Sequence, residues 1–542
     1  MLTKILLVCA IAASTLALLI SVSYWWIFLR NPLRFDITDG MAYILEWQER
    51  PMIKSRLGPI VGIGNGRVQA YLGVPYAEPP VGDGRFLAPV AKVPWESTYD
   101  ATSFPKIAWQ DGGGVLGARD PARMSEDSLF LNIFTPSADD ATRPVLLWIH
   151  GGSYYEGSAN EFDGSVLAEQ GDVVVVAINY RLGTLGFLDL SALGDEFAGS
   201  ASNGIRDQLA ALQWVRNNIS DYGGDPGNIT LFGESAGGGS VLSLIATPDA
   251  DGLYQQAIVH SGGMIESTPT DHTQQLADYL GVSIDELAKT LRAMSPQELV
   301  ALRGTLSLNT GASVDGTVIT RASSEAILDR KENGVPIIAG YNRDEGEFFA
   351  MIIPSLFHSR VGEIVGQGVV PGMDSAHYLK ELKEAYPGDS GPRHFARIWD
   401  ELLIRGTTHS AVRASAAGAG GWLYRFDMPV QRGVNRKAGA VHGAEIAFTF
   451  NAFASDAPAT AFFYHKDDPE VRKLALNWSS TIIQFAKSGN PNGAGLPEWP
   501  QYTAETREVL ILDTDPRVES IPMRADRERW GDTEESASEF YR

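Results

Sequence analysis

Short apolar runs bounded by turn residues alternate with helical patterns along most of this chain. The runs fall at 145–149, 173–178, 229–232, 257–259, 335–339 and 422–426. In each, the apolar residues are continuous rather than alternating, which marks strands buried on both faces, as in a sheet covered by helices on each side. The intervening segments supply such helices. The clearest is predicted over 469–487, with Val471, Leu474, Ala475, Trp478, Ile482 and Phe485 at helical spacing. Asp468 stands as its N-cap, Pro469 at its first position and Gly489 beyond its end. The expected fold class is α/β, with one large, mostly parallel central sheet and helices on both faces. Near the start, Asn65-Gly66 reads as a hairpin turn. The spacing of Gly62, Gly64 and Gly66 does not suit a phosphate loop. No linker, repeat or charge block interrupts the body, so 36–542 is expected to form a single catalytic domain.

The N-terminus follows a different pattern. Residues 5–29 contain no charged side chain and end at Tyr24-Trp25-Trp26, ahead of Arg30. A helix of this length, rising about 1.5 Å per residue, crosses a hydrocarbon core of roughly 30 Å, and the Trp pair suits its interface. An N-terminal transmembrane helix is therefore expected, with 1–35 as the membrane anchor. A signal peptide competes with this reading, because Lys4 supplies a basic start and Ala10-Ile11-Ala12 resembles a cleavage site; the apolar run before Ala10 is too short for one. Lys4 and the α-amine on one side balance Arg30 and Arg34 on the other, so charge does not decide orientation. The expected placement is a single-pass anchor with the body on the exported side, the alternative being secretion after cleavage. Asn-x-Ser/Thr triplets at Asn218, Asn228 and Asn477 are read as chance, since two flank a core strand and the third lies on a helix.

Composition narrows the chemistry. The 542 residues carry 44% hydrophobic and 20% charged side chains, the balance of a globular protein with a large core. The formal net charge of −22, with no basic run, excludes a nucleic-acid partner. Cys9 is the only cysteine and lies in the apolar N-terminal stretch, so disulfides and thiol catalysis are excluded from the body. HExxH and clustered ligand spacings are absent, so no metal and no cofactor is expected.

Gly233-Glu234-Ser235-Ala236-Gly237 matches GxSxG between the strand 229–232 and an apolar helical pattern at Val241, Leu242, Leu244 and Ile245. A nucleophile elbow needs that strand-turn-helix context, with small residues where strand and helix approach. A serine hydroxyl also needs a base, and the carbonyl it attacks needs donors for the developing oxyanion. His150-Gly151-Gly152-Ser153, after the strand 145–149, offers the donors: the backbone N–H groups of Gly152 and Ser153, joined by that of Ala236. For base and orienter the order Ser, Asp/Glu, His points to the glycine-flanked His442 and to Glu345, with Asp344 a close rival; both follow strands.

At these residues the chain resembles the type-B carboxylesterase and cholinesterase family of α/β-hydrolases. The ordered motifs are Tyr71-Leu72-Gly73-Val74-Pro75-Tyr76-Ala77-Glu78-Pro79-Pro80-Val81-Gly82 with Arg85-Phe86, Ser125-Glu126-Asp127-Ser128-Leu129-Phe130-Leu131-Asn132, and Gly223-Gly224-Asp225-Pro226 leading into the elbow. Asp344-Glu345-Gly346, Val441-His442-Gly443-Ala444-Glu445-Ile446 and Phe485-Ala486-Lys487-Ser488-Gly489-Asn490-Pro491-Asn492 follow. The resemblance implies an α/β-hydrolase fold and a small-molecule ester substrate, with Ser235 as nucleophile, His442 as base and Glu345 as its acid. It also implies an oxyanion hole of Gly152, Ser153 and Ala236, in which Ser153 replaces the usual Gly or Ala. Glu234, Phe348 and Tyr154 are expected to line the substrate pocket. Two departures matter. Ala108 and Ser128 stand where relatives often carry a disulfide, so packing alone is expected to hold that loop. Ala118 stands where cholinesterases carry the Trp that meets the choline ammonium. Neutral short or medium esters are therefore the expected substrates. The rival readings are a non-catalytic recognition protein of the same fold, and the same triad acting on an amide or thioester.

Overall fold

The computed structural model describes residues 43–110, 120–329, 334–353, 355–359, 361–362, 375–432, 438–454 and 463–522. The anchor expected at 1–35 and Ala118 lie outside the described residues, among which no helix is long and apolar enough to cross a membrane.

A small sheet joins β1 (Met52–Ser55), β2 (Gly58–Val61) and β5 (Tyr99–Asp100), and β6 (Ile107–Ala108) pairs with β7 (Met124–Ser125). The other strands form one sheet: β3 (Ile63–Gly64), β4 (Gln69–Pro75), β8 (Phe130–Thr135), β9 (Arg143–Ile149), β10 (Val174–Ile178), β11 (Gly224–Glu234), β12 (Gln256–His260), β13 (Ile337–Asn342), β14 (Gly421–Phe426), β15 (Glu508–Leu512) and β16 (Arg517–Ser520). Their spatial order is β16-β15-β14-β13-β12-β11-β9-β10-β8-β4-β3. From β10 to β15 every pairing is parallel, and antiparallel strands close both edges. This is the α/β-hydrolase architecture. The Asn65-Gly66 turn joins β3 to β4, with Asn65 Oδ1 accepting from the Arg67 and Val68 N–H groups.

The apolar runs explain the layering. Val145, Leu147 and Ile149 point into one buried cluster, with Ile205, Leu212 and Val215 of the helix Asn203–Asn218 and with Val241 and Leu244 of the helix Ala236–Ile245. The alternate residues Leu146 and Trp148 point into a second cluster, with Leu474, Trp478 and Ile482 of the helix Pro469–Ser488. Both faces are therefore covered, and a strand with no polar face is the result. The helix Pro469–Ser488 has the expected ends: Asp468 accepts from the Glu470 N–H, and Gly489 closes it at φ 72°.

The expectation that packing alone holds the loop stem between Ala108 and Ser128 is corrected by a buried ion pair. Arg85 meets both Glu126 carboxylate oxygens at 2.6 Å and donates to the carbonyls of Leu291, Arg292 and Met294. One guanidinium thus ties the Ser-Glu-Asp segment to the end of the helix Ile284–Ala293.

Candidate active site

The elbow forms where β11 ends at Glu234 and the helix Ala236–Ile245 begins. Ser235 between them adopts φ 57°, ψ −122°, a region that non-glycine residues rarely enter and that stores strain. The turn closes because its neighbours lack side chains. A Cβ at Gly237 would lie 2.0 Å from the Ile149 carbonyl oxygen, and one at Gly233 would lie 2.5 Å from that of Gly237. The Ser235 N–H is anchored on the His260 carbonyl at 2.9 Å.

The loop after β9 lies against this turn: a Cβ on Gly151 would come within 3.1 Å of Ser235 Cβ. Gly152, Ser153 and Tyr154 run at φ 101°, 52° and 63°. His150 fixes the base of the loop, stacked on Tyr180 at 4.5 Å while the Tyr180 hydroxyl donates to its carbonyl. Among the described residues the N–H groups of Gly152, Ser153 and Ala236 donate to no protein acceptor. Donors without a protein acceptor, on the loop beside the elbow and at the start of its helix, are the kind of group an oxyanion needs.

His442 lies beyond β14 and Glu345 just beyond β13, where it opens the helix Glu345–Ile352. The imidazole Nδ1 is 2.6 Å from Glu345 Oε2. Asp344 turns elsewhere, accepting from the Ala440 N–H and pairing with Arg343. Fully buried Glu345 is itself held by the Ser261 hydroxyl at 2.5 Å and the Asn342 N–H at 2.7 Å. The other face of His442 is where the expected arrangement is incomplete. Nε2 lies 3.2 Å from Glu234 Oε1, and among the described residues no hydrogen bond joins it to Ser235. Burial alone would push the imidazole pKa down, but Glu234 and Glu345 more than offset this and raise it. Burial pushes the Glu234 carboxyl up as well, and Glu345 adds to that.

The pocket residues take two positions. Phe348 lies 6.2 Å and Phe349 5.2 Å from the His442 ring, both centroid to centroid, so this helix supplies an apolar wall. Tyr154 packs inward against Phe187 and the elbow helix, where a Cβ on Gly239 would touch its hydroxyl. Sequence reasoning gave no role to Phe349, Ser261, Asn342 or Glu445. Glu445 is fully buried, accepts from Asn342 Nδ2 at 2.5 Å, and has its pKa raised by burial, Glu234 and Glu345. Its one signal was its place three residues after His442 in the motif quoted above.

The family model described as Carboxylesterase family matches residues 49–530. The para-nitrobenzyl esterase of Bacillus subtilis (strain 168) is 34% identical over 494 residues, covering 88% of this chain and 98% of that protein. Human carboxylesterase 3 is 32% identical over 527 residues, covering 89% and 91%. The crystal structure of the Geobacillus stearothermophilus carboxylesterase EST55 at pH 6.2 superposes with a TM-score of 0.77 at 34% identity, covering 88% of this chain and 99% of that one. The family motifs span the same region as the sheet, elbow and histidine loop described above, and the chain belongs to the carboxylesterase family.

Proposed function

We propose that this chain is a serine carboxylesterase that hydrolyses small carboxylic esters through an acyl-enzyme. Ser235 Oγ attacks the ester carbonyl while His442 Nε2 takes its proton. The Gly152, Ser153 and Ala236 N–H groups hold the resulting oxyanion. His442 then returns the proton to the departing alcohol, and water repeats the sequence on the acyl-Ser235. Glu345 fixes the imidazole tautomer and stabilises the imidazolium. The observation that carries the reading is the 2.6 Å contact of His442 Nδ1 with buried Glu345, in a chain whose Ser235 sits in the strained turn between strand and helix. Nε2 lies 3.2 Å from Glu234 Oε1, and catalytic hydrogen bonds often tighten only in the Michaelis complex.

The test is Ser235→Ala, which is expected to lower kcat by about 10⁴ to 10⁶ and to abolish labelling by a fluorophosphonate. Near-normal turnover would sink the mechanism. The preferred esters are short or medium and neutral rather than cationic, because Ala118 offers no face for an ammonium. The catalytic body begins near residue 36, and residues 5–29 hold it to a membrane on the exported side. Carbonate extraction is expected to leave the full-length chain with the membrane; its release into the wash would overturn the anchor.

A further inference from the structure

Ser153 and Tyr155 belong to the same turn, closed by the Tyr155 N–H on the Gly152 carbonyl at 3.0 Å. Tyr155 lies two residues beyond Ser153 in that turn, and its ring carries the Arg303 guanidinium. The Arg303 guanidinium carbon lies over the Tyr155 ring, 3.6 Å from its centroid. Ser153 is exposed, and Tyr155 and Arg303 are half-buried, so all three meet solvent.

Arg303 is held in place from below. It sits on the helix Pro296–Leu306, whose start is locked by a Ser295–Glu298 capping box. Leu299 and Leu302 of that helix are buried, and the Thr184 hydroxyl donates to the Leu299 carbonyl. Several other arginines of the described body meet carboxylates, as Arg85 does Glu126, Arg181 Asp207 and Arg425 Asp427, while Arg206 and Arg216 are held by backbone carbonyls. Among the described residues Arg303 forms no ion pair, in a chain of net charge −22. Its aromatic contact orders the group without neutralising it, and a guanidinium so held presents paired donors that match a carboxylate.

We infer that Arg303 selects, for the proposed ester hydrolysis, substrates bearing a carboxylate on an arm remote from the scissile carbonyl. This reading rests on the carboxylesterase assignment. It extends the contrast between neutral and cationic esters to the opposite sign of charge, and it runs against the overall charge, which repels anions at long range. Stacking on Tyr155 places the cation one side chain away from Ser153, whose N–H is a candidate oxyanion donor. An extended substrate with its carbonyl at that donor has its far end at the guanidinium.

Two ester pairs matched in size and differing in charge test the inference with the full chain. On the acyl side, mono(4-nitrophenyl) adipate is compared with methyl 4-nitrophenyl adipate. On the alcohol side, the butyrate ester of 4-hydroxybenzoate is compared with that of 4-hydroxybenzamide. The readout is the anionic-to-neutral ratio of kcat/KM, which a general loss of stability does not move. For at least one pair the ratio is expected to fall about 5- to 20-fold in Arg303→Met, with Arg303→Lys intermediate. The difference in this ratio between the unaltered enzyme and Arg303→Met is expected to shrink in about 0.5 M salt, because the long-range repulsion is common to both proteins and the Arg303 attraction is not. An unchanged ratio in Arg303→Met for both pairs overturns the inference. Failure of the unaltered enzyme to cleave any of the four esters overturns the esterase reading and the inference with it.

Discussion

Two buried imidazoles lie at the carboxyl ends of strands in the same sheet, and they have opposite electrostatics. His260 closes β12, is 1% exposed, and meets the Tyr424 hydroxyl through Nδ1 at 2.6 Å. Among the described residues its Nε2 finds no protein partner, and burial pushes its pKa down to about 3. His442 is almost as enclosed, yet Glu345 and Glu234 flank its two nitrogens and drive its pKa the other way. Burial is common to both, so burial does not make a base. A carboxylate on Nδ1 does, because it fixes the tautomer and compensates the charge the ring acquires. The His260 carbonyl holds the elbow, and His442 is the imidazole whose surroundings suit the base of the proposed mechanism.

The sharpest way to break this contrast is to give His442 the uncharged surroundings of His260. Glu345→Gln is expected to lower kcat by up to about 10⁴ with little change in KM. Asp344→Asn is expected to retain turnover, because that carboxylate faces Ala440 N and Arg343 rather than the imidazole. Steady-state kinetics on one neutral ester checks both. Loss in Asp344→Asn with normal rates in Glu345→Gln would reverse the assignment.

That pair of adjacent acids also shows where sequence reasoning runs out. The strands were legible because residues such as Val145 to Ile149 are apolar on both faces, and the helix Pro469–Ser488 because its caps are local. The elbow was legible because GxSxG sits between two periodic patterns. Asp344 and Glu345 could not be separated by pattern, since both follow β13. Their separation comes from the start of the helix Glu345–Ile352: Asp344 at the N-cap turns out, and Glu345 at the first position turns in. Ser261, Glu445 and Arg303 act across long sequence separations, where no local period reports them. Ser261 reaches Glu345 from 84 residues away, and Asn342 reaches Glu445 across 103. The Arg85–Glu126 pair escaped for the same reason.

A second prediction concerns His260. Its folded pKa is depressed from 6.5 to about 3, so between those values the unfolded chain binds one more proton than the folded one. Stability is fully present above pH 6.5 and is lost as pH falls below it, by about 1.4 kcal/mol per pH unit until the folded imidazole titrates. Between pH 7 and pH 5 this amounts to about 2 kcal/mol. His260→Gln removes the titrating group while keeping a polar atom near Tyr424. Denaturant unfolding at the two pH values is expected to show a loss smaller by that amount in the variant, whatever its stability at pH 7. An equal loss in both proteins would mean that His260 does not titrate between the two states as its burial requires.

The smallest expected effect is the most specific to the His442 side of the comparison. Catalysis needs the imidazole neutral, and Glu234, 3.2 Å from Nε2, favours its charged form. Glu234→Gln keeps the shape and removes the charge, so the imidazole pKa falls and the acid limb of the kcat/KM profile moves to lower pH, by about one unit. Glu445 lies behind Asn342 and acts on the ring only through space, so Glu445→Gln is expected to shift the limb in the same direction by less. The ordering distinguishes charge from structure. A packing defect would lower the plateau of the profile, whereas a lost charge moves the limb. If Glu234→Gln moved the limb to higher pH, Glu234 would be acting by some means other than stabilising the imidazolium, and the opposition between His442 and His260 would rest on Glu345 alone.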